Sequence, residues 1–294
     1  MKPATGQDYR QRISRVVEHI HNNLDTQLNV NQLADVAMMS PYHFHRIYRL
    51  MTHEAVNATV RRLRLQRAAG LLMRTKQPVS DVAGQLAYGS VEAFSRAFAK
   101  EFGESPSDYR RLHKQQFLDD NDSAEAMIPK ARTETHEAYE VEIVECDKVH
   151  LAAYSHKGDY LEIGRVFEQL DIYVNSMGLF DESSRSFGLY YNDPESTETP
   201  NLKSHACLSI DLDISLIGDD PPQKIVIPKG RYASLVFKGP YAELEKPYNW
   251  LFGQWLPNSG YEAGDYPAIE EYLNDVRKTS PSDLLTRIYC LILP

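Results

Sequence analysis

Two stretches of this 294-residue chain place polar, hydrogen-bonding side chains on one face of a short helix and an apolar stripe on the other. Ser40-Pro41 opens the first, with Ser as N-cap and Pro at the first helical position. Phe44, Ile47, Tyr48 and Met51 form its inner stripe and leave Tyr42, His43, His45, Arg46 and Arg49 outside. Arg can grip guanine O6 and N7 with two hydrogen bonds, His can donate to guanine or phosphate, and Tyr can touch a thymine methyl. Ser90 opens the second stretch, where Phe94, Ala97, Phe98 and Phe102 point inward and Ser90, Val91, Glu92, Ser95 and Arg96 outward. Arg96 is the base or phosphate reader there. Glu92 can accept from cytosine N4 but repels phosphate, so the second stretch is expected to add less specificity than the first. Solvated helix faces carry the same residue types, and position along the helix alone does not separate the two readings.

Other candidate chemistry is thinner. His19/His21 and His43/His45 are poor metal pairs, because residues two apart on a helix point to different sides. No Cys or carboxylate cluster joins them, so no metal is expected. Cys146, Cys207 and Cys290 are too few and too scattered for a disulfide framework or a zinc site, which points to a reducing cytoplasm. No Gly-rich phosphate loop, nucleophile elbow or paired-carboxylate motif is present; no cofactor is expected, and the chain does not read as an enzyme. No apolar run approaches the ~18 residues of a membrane span, and the first fifteen residues lack the apolar core of a secretory signal. In the strand expected at 268–273, Ile269, Glu271 and Leu273 share one face, and Ala268, Glu270 and Tyr272 the other. Alternation does not say which face is core, and by itself Glu270 reads as a solvated strand glutamate.

The two polar faces need helices to hold them. Ile13, Val16, Val17, Ile20 and Leu24 mark a first helix, and Asn29 with Gln32 forms a capping box before Leu33, Val36 and Ala37. Val56 to Arg74 reads as one long helix bearing Arg61, Arg62, Arg64 and Arg67. After it the short-helix pair recurs, with Val79, Val82, Ala83 and Leu86, a Tyr88-Gly89-Ser90 turn, and the Phe94 helix. Two short helices joined by a tight turn are a helix-turn-helix, here in two copies. Residues 1–114 hold 17 Lys+Arg against 10 Asp+Glu, whereas the whole chain is at −9, so a basic front precedes an acidic rear.

Residues 115–138 read as a polar, acidic linker. Beyond them, residues 139–294 alternate strands (141–144, 151–154, 187–192, 206–214, 224–227, 232–237, 268–273, 285–293) with helices near 163–173 and 248–256. A shift of about 82 carries Gly178 onto Gly260, Tyr190 onto Tyr272 and Gly188 onto Glu270. Gly158-x-Tyr160 falls within one residue of Gly239-x-Tyr241. Two such units are expected to form one antiparallel sheet with both helices on one face and a ligand groove between them. In that groove the carboxylate of Glu270 would face an open gap over Gly188.

On these residues the front half resembles the DNA-binding domain of the AraC/XylS family of transcription regulators. The resemblance rests on Leu33-Ala34-x-x-Ala37, Ser40-Pro41-x-x-Phe44-x-Arg46, Arg64-Leu65-x-x-Ala68, Val82-Ala83-x-x-Leu86-x-Tyr88, Phe94-Ser95-Arg96-Ala97-Phe98 and Ser105-Pro106-x-x-Tyr109. Ala87 departs from it, standing where the family commonly has Gly. The rear half resembles the GyrI-like effector-binding domain through Lys157-Gly158-x-Tyr160, Gly188-x-Tyr190-Tyr191-x-Asp193-Pro194, Pro228-x-Gly230-x-Tyr232, Gly239-x-Tyr241 and Pro267-x-x-Glu270-x-Tyr272. The resemblance implies an all-helical double helix-turn-helix domain (1–114), the linker, and an α+β domain (139–294) with an antiparallel sheet and a pseudo-two-fold repeat. It implies that Tyr42, His45 and Arg46 face base edges of double-stranded DNA, with RNA polymerase as a further partner. It also implies that Glu270 lies in a cleft for a small lipophilic or cationic effector, ringed by Tyr272, Tyr190, Tyr160, Tyr154, Tyr241 and Trp250. Two other readings of the rear half stay open: a ring-opening hydrolase with Glu270 as base and Tyr190 or Tyr272 as proton donor, and a protein-interaction module.

Overall fold

The computed structural model describes residues 3–121, 139–179 and 183–293; expected-linker residues 122–138 lie outside the described residues. The front half is helical: α1 (Pro3–Asn22), α2 (Val30–Val36), α3 (Pro41–Thr52), α4 (Val56–Arg74), α5 (Val79–Gln85), α6 (Val91–Phe102) and α7 (Pro106–Asn121). The caps are those the sequence predicts. Asn29 accepts from the Gln32 amide at 2.9 Å while the Gln32 side chain reaches back to the Asn29 amide. Ser40 and Ser90 accept from the amides of His43 and Ala93. One apolar cluster gathers Ile13, Val16, Val17 and Ile20 with Phe44 and Tyr48, and a second gathers Val82, Leu86, Phe94 and Phe98. Helix α4 serves both, with Val56, Val60 and Leu63 in the first and Leu65, Ala68 and Leu72 in the second. Helix α7 corrects the expected boundary at 115, since it runs on to Asn121. Its polar, aperiodic end leaves no apolar stripe from which to read a helix.

Both helix-turn-helix turns pass through a left-handed residue that is not glycine: Met38 at φ 52° and Ala87 at φ 55°. Ala87 therefore keeps the backbone that the family's Gly would adopt, against the steric cost of a Cβ there. Ala87→Gly and Met38→Gly should each stabilise the chain by about 1 kcal/mol in urea melts. A loss of stability would show that the side chain's own packing outweighs the backbone term.

The rear half comprises β1 (Glu142–Cys146), β2 (Val149–Lys157), α8 (Gly164–Met177), β3 (Ser186–Tyr190), β4 (Lys203–Ser209), β5 (Gln223–Ile227) and β6 (Gly230–Lys238). A second helical segment follows, made of α9 (Glu245–Tyr248), a π-helical stretch (Asn249–Trp255) and α10 (Leu256–Ser259); then come β7 (Glu262–Ala263), β8 (Ala268–Tyr272) and β9 (Leu285–Leu293). The strands form one antiparallel sheet in the order β1-β6-β9-β8-β3-β4-β2-β5, with β7 added on β9. Read outward from its centre, the order is the same on both sides, so a pseudo-two-fold axis passes between β8 and β3. The leading strands cross over: β1 pairs with β6 of the second repeat and β5 with β2 of the first. Each repeat thus completes the other's edge, which leaves neither able to close its sheet alone. The strand expected at 206–214 stops at Ser209, and β7 is too short to leave a periodic signal.

Both helical segments pack on one face. Leu170, Tyr173 and Val174 meet Ala152 and Leu208, and Leu251 meets Ala233 and Leu235. The opposite face carries its own cluster of Leu151, Phe187, Leu189, Tyr232, Ile269 and Tyr289. With apolar packing on both sides, alternation in β8 has no solvent face to mark.

The two halves share their cores. Ile172 of α8 is fully buried in the first helical cluster, and Ala242 packs against the second. Arg10 of α1 stacks its guanidinium 4.9 Å from the centre of the Tyr173 ring. Arg277 donates to the Thr52 carbonyl and pairs with Asp171. Among the described residues no helix is long and apolar enough to cross a membrane.

Candidate functional site

On α3, His43, His45, Arg46 and Arg49 are exposed, while Phe44 and Tyr48 are buried, as the spacing predicts. The side chain of Tyr42 lies outside the described residues. A groove of about 860 Å³ runs along this face, lined by His45, Arg46, Arg49, Leu50, His53 and Lys278 of the sheet domain. On α6, Ser90, Val91, Glu92 and Arg96 are exposed and Ser95 is half-buried. The Glu92 carboxylate is held ionised by its own backbone N–H and the Ser90 hydroxyl, at the positive end of α6. That arrangement stabilises the helix start and sets a fixed negative charge beside Arg96.

The second site is a buried acid in the sheet domain. Glu270 of β8 stands opposite Gly188 of β3, at the pseudo-two-fold axis, and is only 4% exposed. The Tyr248 hydroxyl donates to Glu270 Oε1 and the Tyr272 hydroxyl to Oε2, each at 2.9 Å. The repeat mates Tyr190 and Tyr272 bring their hydroxyls within 2.7 Å. Since Tyr272 donates to the acid, Tyr190 donates to Tyr272, and the three groups form a relay ending on Glu270. Burial pushes the Glu270 carboxyl up to about 7, although the tyrosine hydrogen bonds pull it the other way. Burial, and then the charge of Glu270, raise the Tyr190, Tyr248 and Tyr272 hydroxyls well above their usual range. They are donors at any neutral pH.

The rings keep the repeat symmetry. Tyr160 meets Tyr190 edge-on at 4.8 Å, as Tyr241 meets Tyr272 at 5.4 Å. The Tyr160 hydroxyl lies within hydrogen-bond distance of the Asn192 carbonyl (2.9 Å) and the Lys203 carbonyl (3.1 Å), and its one proton goes to these rather than to the acid. Tyr154 borders the cluster, with its hydroxyl on the Asp220 carbonyl. Trp250 does not bond the acid: its indole N–H donates to the Tyr139 carbonyl and its ring packs against the cluster of Ala233, Leu235 and Leu251. The expected open gap over Gly188 is also corrected. A Cβ on Gly188 would stand 2.6 Å from Tyr190 Cε2 and 2.8 Å from the Tyr272 hydroxyl, so glycine makes room for the two tyrosines.

Sequence reasoning passed over Tyr248. An offset of 81, which carries Tyr160 onto Tyr241, carries Phe167 onto Tyr248, and Phe167 meets Tyr272 edge-on at 5.3 Å. The repeat therefore held the signal. It also passed over a buried ionic group between the halves. Arg62 of α4 bonds Glu54 at 2.8 Å and Glu168 of α8 at 2.9 Å, and His21 of α1 bonds Glu168 at 3.1 Å. Burial works against the Glu168 carboxylate, yet the His21 hydrogen bond and the Arg62 charge hold it down at about 2. On the other flank, His113 of α7 bridges Glu104 and Glu243, and its hydrogen bond to Glu243 raises the imidazole pKa.

Two helix-turn-helix units on a shared helix, docked on a pseudo-symmetric α+β domain with an acid buried between its helices, define a two-domain helix-turn-helix protein. The GyrI-like small molecule binding domain profile matches residues 139–292, and a helix-turn-helix domain profile matches residues 33–112. Regulatory protein SoxS of Salmonella typhimurium is 36% identical over 102 residues, covering 35% of this chain and 95% of that one. The right origin-binding protein of Escherichia coli is 35% identical over 92 residues, 31% of this chain and 32% of its own length. The crystal structure of the EcmrR C-terminal domain is 18% identical, covers 53% of this chain and 98% of its own, and superposes with a TM-score of 0.46. The chain belongs to the AraC-type transcription regulators and carries a GyrI-like domain.

Proposed function

We propose that α3 and α6 read two segments of major groove in double-stranded DNA and that the GyrI-like domain binds a small lipophilic cation at Glu270. The exposed row His43, His45, Arg46 and Arg49 over a buried apolar stripe is the observation that supports the DNA half. RNA polymerase is a partner in this reading, and Lys278 adds a cation from the acidic half to the α3 face. Arg46→Ala should cost about 1–3 kcal/mol and relax preference at one or two base positions, through loss of a bidentate guanine contact. Arg96→Ala should relax preference less, since Glu92 and Val91 beside it are poor readers. Selection from random duplexes on both variants gives the order, and the reverse order, or a uniform loss over all sequences for Arg46→Ala, contradicts it.

The effector half is supported by a single ionisable acid enclosed by aromatic rings, the arrangement that favours an aromatic cation by charge and cation–π contact. Glu270→Gln should weaken a lipophilic cation more than tenfold and its uncharged analogue little, by calorimetric titration. The same acid poised near neutrality beside hydroxyl donors supports one other reading, a hydrolase of a strained electrophile with Glu270 as general base. Turnover of such a substrate, lost in Glu270→Gln, would favour it over sensing.

A further inference from the structure

Helix α4 lies across the pseudo-two-fold axis of the GyrI-like domain. The 3-10 turns Tyr160–Glu162 and Tyr241–Glu243 are repeat mates at the two lips of the Glu270 cleft, and α4 touches both. At one lip Leu161 abuts Gly70: a Cβ there would stand 2.8 Å from Leu161 Cδ1 and meet no other residue outside its own helix within 4 Å. At the other, Ala242 packs against the cluster of Leu65, Ala68, Ala69 and Leu72. Arg62 reaches Glu168 on α8 and also bears on the ionisation of the Tyr241 hydroxyl, and Arg74 at the far end of α4 pairs with Asp159. Tyr241 of the second turn meets Tyr272 edge-on, and Tyr272 donates to Glu270. Helix α4 thus bridges the two turns whose tyrosines, Tyr160 and Tyr241, meet Tyr190 and Tyr272 beside Glu270.

We propose that α4 is the lid of the effector cleft, so that a bound effector and the docked arrangement of the two halves exclude one another. This rests on the effector reading above and adds its regulation. The helix that carries both recognition units is the one that must move, so effector occupancy is passed to the DNA-reading half without an intermediate element. Opening uncovers Ile172 and Ala242, and the affinity of the full chain is the cleft's own affinity reduced by the closed fraction.

The test titrates ethidium, an aromatic cation, against the full chain without DNA. Gly70→Leu wedges α4 against Leu161 alone and should tighten binding at least tenfold. A second protein carries Arg74→Cys and Asp159→Cys with Cys146→Ser, joined by a short bis-maleimide. It should bind at least tenfold more weakly than before joining. Equal affinity before and after joining, with Glu270→Gln still weakening both, overturns the lid and leaves the effector site standing. Ethidium binding by none of these proteins, the wedged one included, overturns both. Should Gly70→Leu fail to fold, the joined pair decides alone.

Discussion

Replacing Arg62 with Met should destabilise the chain by about 3–5 kcal/mol at neutral pH. The Arg62 side chain is 12% exposed, and those of its partners Glu54 and Glu168 are 10% and 13% exposed. Methionine fills similar space but leaves two carboxylates in a site with little water, with the Thr59 hydroxyl on Glu54 and His21 on Glu168 but no guanidinium between them. The cost is that of uncompensated buried charge rather than of lost contacts. Its pH dependence distinguishes the two. In the wild type the Glu168 carboxyl sits at about 2 when folded, below its ordinary 4.5. The stability it confers is present above 4.5 and is lost as pH falls towards 2. In Arg62→Met burial acts unopposed by the guanidinium, so protonation relieves the variant while it weakens the wild type. The gap should therefore narrow steadily as pH falls from neutral towards 2 in urea melts, and adding Glu168→Gln should recover about half of it at pH 7. A gap below about 1 kcal/mol at pH 7, constant with pH, would mean that water already reaches the group.

Those arginines also show where the sequence stops being legible. Helix α4 is predicted with its observed ends, and Arg61, Arg62, Arg64 and Arg67 belong to the basic front. Three of the four have partners inside the molecule. Arg62 is buried, Arg64 donates to the carbonyls of Leu24 and Thr26, and Arg67 faces Glu162. A net positive charge counts residues but not their partners, and apart from Glu54, eight positions from Arg62, those partners lie 38 to 106 positions away and leave no local pattern. Helix boundaries, caps, the doubled motif and the repeat are short-range or periodic features, so they could be read. The place of Tyr272 and Tyr190 followed from the repeat, and Tyr248 would have followed from the same repeat shifted by one. The resemblance places Trp250 in the cleft, whereas its indole N–H goes to the Tyr139 carbonyl from within the π-helical stretch Asn249–Trp255, a departure from helical spacing that the sequence does not mark. That α4 touches both the Tyr160–Glu162 and Tyr241–Glu243 turns depends on how two domains dock, and no single-helix pattern encodes that.

Glu270→Gln should make the chain more stable at pH 8 by up to about 3 kcal/mol and leave it unchanged near pH 4.5. The sequence expectation of an ionised carboxylate predicts no such change. In the folded chain burial raises this carboxyl to about 7, whereas the unfolded chain titrates near 4.5. Between those values the folded state holds a proton that the unfolded state has released. Stability therefore falls as pH rises from 4.5 to 7 and levels beyond. Glutamine has the shape of the protonated acid, its carbonyl can accept from Tyr248 or Tyr272, and it never ionises, so the fall disappears. Taking the difference between the two proteins at each pH removes the titration of His113, Glu168 and every other group they share. The same acid sets an opposite trend for ligand. A cation needs the carboxylate, so its affinity should rise about tenfold from pH 6 to pH 8 while that of an uncharged analogue stays level. Stability lost and cation affinity gained over one pH window, both abolished by one substitution, would identify Glu270 as the titrating group. A difference curve flat from pH 4.5 to 8 would place its carboxyl in the ordinary range, and the cleft would then be wet.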